Sequence, residues 1–424
     1  GNGLLERDGD EFIDSHLDAE IKIATLSPFS SWLARPLPDQ DLQLSVELDS
    51  RAGVLLVEQL VMLSGDSDLS VTGRATNPSF PELTLAGQSQ LINLAPWIRT
   101  FTTGKAGMAT ETAPAHTTLP VAQLIPDYPI SFDAWKGFEA DISLDIDNLT
   151  GLVRPLEDLQ SAFSLQRDGL RVDELSFDDG VNGSVALTGS LVDQDKTPQL
   201  DLALTGESLI YGIPKAPEED VDALPSYDVK LRLTGSGQTT RTLASSLNGY
   251  LNLAMGSGHI LNTGFDRLSN TFLQELSNAL NPFKEQQAMT AINCAAVFNT
   301  LKNGQAFGEP SIVVDTPKIK ILANTHVSFD TEKVKASFKT IPQKGLGINM
   351  SSLVNPFVEV TGTLSAPRIS LNPANTVVGG SLAVVTGGIS LLLRSVLERL
   401  STGGNICAKR LQKANEAMAE LDST

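Results

Sequence analysis

The chain has 424 residues, an apolar fraction of 41% and a formal net charge of −19 at pH 7. This length exceeds one ordinary hydrophobic core and favours several domains or a repeat array, and the apolar fraction excludes a disordered chain. The charge is uneven, because residues 1–283 carry a net charge of −23 and residues 284–424 carry +4. The acidic part argues against nucleic-acid binding, whereas the mildly basic part suits either an anionic headgroup or solvated sheet faces.

Two stretches of the first half are similar to each other and predict an internal repeat. Residues 17–97 and residues 138–210 each contain a strand, a crossing with an Arg-Pro pair, further strands and a Thr-Gly strand ending. We expect one motif used twice with a long insert between the copies, and a third, partial copy from Tyr227. The shared landmarks are Arg35-Pro36 and Val71–Gly73 in the first stretch, and Arg154-Pro155 and Leu187–Gly189 in the second.

Within the repeats, apolar and polar residues alternate with a period of two, which indicates strands with one buried face. The pattern is clearest from Phe138 to Asp147, where isoleucine and leucine alternate with acidic residues and serine. Leucine is a good helix former, but the strict alternation outweighs that propensity. Asp168-Gly169 and Asn182-Gly183 supply turns between the strands.

Helices are few in the predicted structure. Phe265–Leu280 carries an apolar stripe at helical spacing and stops before Pro282, a residue that cannot continue a helix. A second stripe runs from Ile389 to Leu400, and we predict a last helix over Cys407–Leu421.

The run from Cys294 to Pro373 is predicted to form a series of short antiparallel strands. Asn303-Gly304 lies between two alternating segments, which is the strongest local hairpin signal, and Asp315–Pro317 is a second break. Ile319 and Ile321 fall on one face of the following strand and lysines fall on the other. We therefore expect a sheet that is wet on one side.

These patterns divide the chain into six segments. We expect a first β repeat at residues 1–101, a loop or linker at 102–137, a second β repeat at 138–211, a loop rich in proline and acidic residues at 212–226, a β region with a helical insert near 265–290 at 227–375, and a helical C-terminal segment at 376–424.

The order of landmarks from Leu247 onward resembles the C-terminal region of the AsmA-like proteins of Gram-negative bacteria. The shared pieces are LNGYLNLAMGSGHI (Leu247–Ile260), the cysteine that opens a strand (Cys294), the Asn-Gly turn, the Asp-Thr-Pro turn, and VTGTLSAPRISLNP (Val360–Pro373). Members of this family are envelope proteins with an inner-membrane anchor, a long periplasmic β-rich body and a role in outer-membrane lipid homeostasis.

The resemblance implies a periplasmic location in a Gram-negative bacterium. The first residues, GNGLLERDGDEF, lack the charged and apolar regions of a signal peptide. We therefore expect a chain that begins inside the mature protein, with an N-terminal helix outside this chain anchoring the full-length protein in the inner membrane.

The resemblance also implies a mainly β fold in which repeated antiparallel sheets form an elongated curved groove, like a folded taco, with a few short helices toward the C-terminus. A wholly apolar sheet face has to close on itself or be filled by a ligand. In the groove, that face would bind phospholipid acyl chains, whose exposure to water costs roughly 0.8 kcal/mol per CH₂. The expected lining residues are Phe138, Ile142, Leu144, Ile146, Leu200, Leu202, Leu204, Ile319 and Ile321.

Such a groove predicts a protein that supports lipid transport between the inner and outer membranes. The alternative is a periplasmic scaffold or assembly factor for outer-membrane biogenesis, with a closed core and no lipid cargo. Inward-facing leucine has the same pattern in both cases, so the preference for lipid rests on the resemblance. A carbohydrate-binding module is disfavoured by an aromatic content of 5%.

The segment from Val377 to Leu393 contains 17 residues without a charge, the shortest run that could span a bilayer. It merges into the amphipathic stripe that ends at Leu400. We interpret this cap segment as the membrane-facing or groove-capping end, with a bilayer span and simple core packing as alternatives. Its apolar residues are Val377, Leu382, Val385, Ile389, Leu392, Leu393 and Val396.

The chain contains two cysteines, Cys294 and Cys407, an even number, as an oxidising compartment permits. Because AsmA-like proteins often carry a cysteine near each of these places, the resemblance implies a disulfide between them. Two separate buried thiols are the alternative.

Motifs for catalysis and metal binding are missing from the sequence. The four histidines are scattered, and no zinc pattern, phosphate-binding loop or nucleophile elbow is present. Asp145 and Asp147 resemble the start of a calcium loop, but Thr150 stands where that loop requires glycine. We predict a non-enzymatic protein without cofactor or metal. Its expected partners are phospholipid or another acyl lipid and, at the C-terminal end, a membrane surface, with no nucleic acid.

Overall fold

The structure is a computed structural model, and the chain divides into two compact units that are described separately. Unit 1 comprises Gly1–Thr118 and Ser131–Gln199, and unit 2 comprises Leu119–Ile130 and Leu200–Thr424. The residues that the structure describes are 2–3, 7–8, 11–12, 15–30, 36–51, 54–76, 80–99, 123–133, 136–152, 154–210, 224–261, 289–343, 357–371 and 405–422.

Unit 1 is a sheet whose strands pair in chain order from β4 to β12. All of these pairs are antiparallel except β8 with β9, which are parallel. A 3₁₀ turn covers Ser27–Phe29. The strands are β1 (Asn2–Gly3), β2 (Arg7–Asp8), β3 (Glu11–Phe12), β4 (Ser15–Ile23), β5 (Leu42–Arg51), β6 (Val54–Ser64), β7 (Ser67–Thr76), β8 (Glu82–Asn93), β9 (Glu139–Thr150), β10 (Leu156–Gln166), β11 (Gly169–Asp178) and β12 (Ser184–Gln194).

The parallel pair explains the long insert between the sequence repeats. β4–β8 is an antiparallel set of five strands, so its last strand runs in the same direction as its first. Parallel pairing of β9 with β8 starts the second repeat in that direction again, and β9–β12 then follow the order of β4–β7. Parallel neighbours cannot be joined by a tight hairpin and need a crossover, which residues 94–138 provide.

The repeat extends to the irregularities of the strand ladders. Between Val57 and Leu60 two residues of β6 face one residue of β7, and between Val172 and Leu175 two residues of β11 face one residue of β12. Two apolar residues three positions apart cannot share a face in a regular strand, and the bulge brings them back to one face. The same Val-x-x-Leu sequence therefore produces the same bulge in both repeats.

Among the residues that the structure describes, unit 2 contains antiparallel strands and two helices. The strand order is β14, β15, β18, β19, β20, β21, β22, β23, and β16 pairs separately with β17. The division between the units falls inside β13. The elements are β13 (Thr197–Ile210), β14 (Ser226–Ser236), α1 (Thr240–Ser246), β15 (Asn248–Met255), β16 (Gly258–Leu261), β17 (Met289–Ile292), β18 (Cys294–Lys302), β19 (Gln305–Asp315), β20 (Ile319–Ser328), β21 (Val334–Pro342), β22 (Phe357–Thr363), β23 (Ala366–Leu371) and α2 (Ile406–Asp422).

Helix α2 packs on one face of the unit 2 sheet and is joined to it by a disulfide. Cys407 bonds to Cys294 at the start of β18, with a sequence separation of 113. Ile406 packs against Ala296 and Val313, both of which are fully buried, and Met418 packs near Phe298 farther along the helix. This face is therefore a closed hydrophobic core.

The predicted class is confirmed: the protein is mainly β and antiparallel, with few helices. The Asn303-Gly304 hairpin is also confirmed, because both residues have positive φ (48° and 68°) between the paired Lys302 and Gln305. The last predicted helix matches α2. The predicted helix at Phe265–Leu280 and the stripe from Ile389 to Leu400 lie outside the described residues.

The expectation of a C-terminal sheet that is wet on one side is wrong for β18–β20. Leu322, which lies between the lysine-bearing positions and His326 on the supposedly wet face, is 3% exposed and belongs to the core beneath α2. Lys320 on the same face is held by Asp315, with 3.7 Å between Nζ and the carboxylate oxygen. The helix covers the face that alternation alone assigned to water.

Candidate functional site

In unit 1, apolar residues continue from strand to strand as rows on one face of the sheet. Directly paired residues have their side chains on the same face. The register therefore forms two rows, each crossing six strands or more. The first row is Leu17, Leu48, Val57, Gly73, Leu85, Ile142 and Phe163, and the second is Ala19, Val46, Leu60, Val71, Gly87 and Leu144.

The other face of the same strands is polar at the junction of the repeats. Asp141, Ser143 and Asp145 are all exposed, and they pair with Thr84, Ala86 and Gln88 of β8. The two faces of β9 therefore differ sharply in chemistry. The alternation read from the sequence describes a real difference between the faces of this strand.

The apolar face of unit 1 is not sealed by the residues that the structure describes. In this part of the chain, apart from Pro38 and Pro198, only four apolar side chains of unit 1 are buried, namely Leu26, Phe132, Ala140 and Ile146. Most members of the two rows are half-buried, and Ile21 on the same face is 49% exposed. The described helical residues of unit 1 are confined to positions 27–30, 95–99 and 133, between strands.

Unit 2 carries an equivalent row on the face away from α2. Residues on this face alternate with the residues that pack beneath the helix, such as Val313 and Leu322. Val358 and Ala323 at one end of the row are 1% exposed, whereas the members in β14, β15 and β18 are half-buried. The row is Val229, Leu253, Val297, Ile312, Ala323, Phe338 and Val358.

The expected lining residues of unit 1 lie on its apolar face. Ile142, Leu144 and Ile146 follow one another on this face of β9, and Phe138 lies just before that strand. Ile142, Leu144 and Phe138 are half-buried, and Ile146 is 5% exposed.

The expected lining residues in unit 2 divide into two groups. Leu200, Leu202, Leu204 and Ile321 are half-buried, as a partly open face requires. Ile319 is fully buried, and its backbone is held in a turn by Thr316, whose Oγ1 donates to the Ile319 carbonyl at 2.8 Å. Because its side chain is inaccessible to solvent, Ile319 is a core residue and does not line an open face.

Arg410 is a buried cation that supports the irregular strand β19. The register of β19 against β20 shifts between Gly308 and Ile312, which leaves backbone carbonyls outside the regular ladder. Arg410 donates from Nε to the Pro310 carbonyl at 2.6 Å and from Nη2 to the Phe298 carbonyl at 3.2 Å. Burial lowers the pKa of Arg410 to about 10, and the group stays charged at neutral pH. Its role is structural.

A segment of the predicted linker, residues 123–130, is bound to unit 2. Glu332, whose side chain is 3% exposed, accepts hydrogen bonds from the backbone N–H groups of Leu124 and Ile125, both at 2.9 Å. Arg241 of α1 pairs with the same carboxylate at 3.3 Å. Burial raises the pKa of Glu332, but these donors outweigh it and hold the pKa below its ordinary value.

The cap segment, from Val377 to Val396, lies outside the described residues. None of the helices in the described part of the chain is long and apolar enough to cross a membrane. Across the same residues, no three or more histidine, cysteine, aspartate or glutamate side chains are arranged to hold a metal ion.

Comparison with known proteins gave no match: the chain matches no family model, no curated protein and no solved structure.

The sequence analysis missed two structural features, the bulges in the strands and the burial of Arg410. The bulges were not predicted, although the Val-x-x-Leu motif breaks the alternation at the same place in both repeats and is a usable signal. The burial of Arg410 has no local signal, because its partners, Phe298 and Pro310, lie about a hundred residues earlier in the chain.

Proposed function

We propose that this protein is a non-enzymatic envelope protein that binds acyl chains of phospholipid on its apolar sheet faces. In this proposal it supports lipid transport between the inner and outer membranes of a Gram-negative bacterium, as the resemblance to AsmA-like proteins implies. The observation that carries the proposal is the apolar face of unit 1, with its continuous rows and, prolines aside, only four buried apolar side chains among the described residues.

The rows have the dimensions that an acyl chain requires. Neighbouring strands lie about 4.8 Å apart, so a row that crosses six strands offers a continuous apolar strip of roughly 25 Å. A hydrocarbon chain lying along that strip exchanges water for side-chain methyl groups at each strand. Each buried CH₂ contributes roughly 0.8 kcal/mol, which lowers the barrier to moving lipid through water without covalent chemistry.

The disulfide supports the proposed location. Cys294 and Cys407 are bonded, and such bonds persist in oxidising compartments, of which the periplasm is one. This bond is compatible with a periplasmic protein and equally compatible with other oxidising compartments.

A scaffold with a closed core is the second candidate, and unit 2 supplies the observation that favours it. The cluster formed by Ala323, Ala336, Phe338, Val358 and Val360 is buried on the face away from α2. A face sealed in this way has no room for cargo at that end of the sheet. The scaffold proposal requires that unit 1 be sealed in the same manner.

Site-specific photo-crosslinking separates the two proposals. A crosslinking residue at Ile142, on the apolar face, should capture phospholipid when the protein is isolated from Gram-negative cells. The matched control is a crosslinker at Asp141, the next residue on the opposite face, which should capture none. Equal capture from both positions would contradict the assignment of the faces, and no capture from a lipid-free protein would favour the scaffold.

A pair of substitutions gives an independent test on the same strand. Leu144→Asp introduces a charge into the apolar row and should reduce co-purifying phospholipid severalfold, measured by mass spectrometry of the extract. Ser143→Asp introduces the same charge at an exposed position and should leave the lipid content unchanged.

A further inference from the structure

The ends of β20, β21 and β22 surround an open pocket of about 620 Å³ in unit 2. Three of its lining residues, His326, Lys333 and Lys335, carry basic side chains. The remaining lining residues are mainly small or hydroxyl-bearing: Ser328, Thr331, Val334, Thr361, Gly362 and Thr363.

The sheet register brings these basic residues together with a further cation. Lys335 of β21 pairs with His326 of β20. On the other side of β21, Val360 of β22 pairs with Ala336, the residue after Lys335. The residue that follows Val360 is Thr361, and it pairs with Arg368 of β23. Lys333 forms a bridge with Thr363 one step nearer the strand ends. Because adjacent strands lie about 4.8 Å apart, the long side chains of Lys333, Lys335 and Arg368 can reach a common anion.

The positive charge of this pocket is not balanced by neighbouring carboxylates. Among the described residues, Lys333, Lys335 and Arg368 form no ion pair, and all three are exposed. The buried Glu332 beside them is occupied by Arg241 and two backbone N–H groups.

Two further acids lie near the pocket in sequence or register. Asp330 is exposed in the turn before Glu332, and Glu359 lies opposite Ser337 on the face that carries Lys335. Neither forms an ion pair with the pocket cations. Other cations of unit 2 do have acidic partners: Arg232 pairs with Asp201, and Lys320 with Asp315.

We propose that this pocket binds the phosphate group of a phosphomonoester or phosphodiester. Two lysines in the pocket, with Arg368 next to it on the neighbouring strand, match the charge of such a group, and exposed hydroxyls supply further donors. In a chain with a net charge of −19, an unbalanced cationic pocket attracts anions against the field of the rest of the protein.

The position of the pocket links it to the apolar cluster of unit 2. Val334 lines the pocket and also packs against the cluster that contains Phe338 and Val358. A phosphate bound here therefore lies at the strand ends beside the buried cluster, on the side of the sheet that carries Lys335. A phospholipid headgroup is one source of such a phosphate, provided that its acyl chains lie elsewhere than on the buried cluster. This assignment to a lipid rests on the proposed function, whereas phosphate binding does not.

The test compares two variants of the full chain that lose the same charge. The pocket variant carries Lys333→Gln, Lys335→Gln and Arg368→Gln. The control carries Lys230→Gln, Lys302→Gln and Lys413→Gln, three exposed positions of unit 2 outside the pocket. Since all six side chains are exposed, both variants should keep the far-ultraviolet circular dichroism of the wild type.

Two probes distinguish a free phosphoester from a phospholipid headgroup as the source of the bound phosphate. Glycerol 1-phosphate is titrated by calorimetry, and vesicles of phosphatidylcholine with or without phosphatidylglycerol are tested by flotation. We expect the pocket variant to lose at least about tenfold in affinity for glycerol 1-phosphate and for the anionic vesicles, and the control to change by less than about twofold. Binding of the soluble probe alone would identify a free phosphoester as the ligand.

Equal weakening in both variants would overturn the proposal, because net charge alone would then explain binding, and so would a wild type that binds neither probe. A different result is expected if the phosphate pocket exists but the proposed lipid-binding function is wrong. In that case Ile142 captures no lipid, while glycerol 1-phosphate still binds in a manner that depends on the pocket residues.

Discussion

Unit 1 and unit 2 are both built from antiparallel strands paired mainly in chain order, yet they differ in how their apolar side chains are covered. In unit 1, the described residues include, prolines aside, four buried apolar side chains, and most members of the apolar rows are half-buried. In unit 2, α2 covers one face and is cross-linked to β18, so residues such as Ala296 and Val313 are completely buried. The same strand geometry therefore supports one partly open face and one closed core.

The difference is only partly visible in the sequence of the strands. A strand covered on both faces contains consecutive apolar residues, whereas a strand covered on one face alternates. β19 contains Ile312, Val313 and Val314 in succession, and β20 contains Ile321, Leu322 and Ala323. β9 in unit 1 alternates from Glu139 to Asp147. Such runs do not by themselves identify a strand beneath α2, because β6 of unit 1 contains the apolar runs Val54–Val57 and Leu60–Leu63.

The largest difference between the units should follow removal of the disulfide. Cys294→Ala with Cys407→Ala frees α2 from β18 and opens a loop with a sequence separation of 113. The chain-entropy relation gives a loss of about 4–5 kcal/mol in the free energy of unfolding of unit 2. Denaturant unfolding measures this change, with wild type in reductant as a second route to the same state.

The aromatic residues make that measurement specific to each unit. All three tryptophans, Trp32, Trp97 and Trp135, belong to unit 1, and all four tyrosines belong to unit 2. Selectively excited tryptophan fluorescence should therefore keep its midpoint while the tyrosine circular dichroism signal shifts. A shift of both signals by the same amount would mean that the two units unfold as one.

The next largest difference should be in the free energy of unfolding when a leucine is truncated to alanine, once on the face covered by α2 and once on the half-buried face of unit 1. Leu322→Ala removes a side chain that is 3% exposed beneath α2, and we expect a loss of about 2–5 kcal/mol. Leu144→Ala removes the same atoms from the half-buried row of unit 1 and should cost about 1 kcal/mol or less, because no closed cavity remains. Equal costs in urea unfolding would show that the face of unit 1 is sealed after all.

The smallest effect concerns the segment at residues 123–130, which Glu332 binds to unit 2. Glu332→Gln removes the charge that its donors stabilise, and we expect a loss of about 1–3 kcal/mol in the local stability of this segment. Hydrogen exchange at the amides of Leu124 and Ile125 measures it. The matched control is Asp330→Asn in the exposed turn, which should leave both amides protected.

The same contact should depend on pH. The pKa of Glu332 is lowered from its ordinary value of 4.5, so its contribution is fully present above that pH. It is lost as the pH falls through the lower value of the folded protein, where the carboxylate gains a proton. Protection of the two amides should therefore decline in acid in the wild type and show no such decline in Glu332→Gln. A wild-type profile that is flat in this range would contradict the assigned role.

The sequence by itself determined the features that depend on neighbours along the chain. Alternation with a period of two indicated the strands and the exposed face of β9, Asn303-Gly304 indicated a hairpin, and the apolar spacing after Cys407 indicated the last helix. These features follow from backbone geometry and local side-chain direction, so a short window of residues contains the information. The repeat was visible for the same reason, because each copy carries its own turns and strand endings.

The tertiary structure alone decided what covers each face. The parallel pairing of β8 with β9 joins residues that are more than fifty positions apart, and the burial of Ile319 and Leu322 depends on a turn and on a helix far along the chain. Arg410 acquires its partners in the same way, and the register alone places Arg368 beside the pocket that Lys333 and Lys335 line. Burial and charge balance are sums over neighbours in space, and a periodic pattern specifies the face of a strand but not what lies against it.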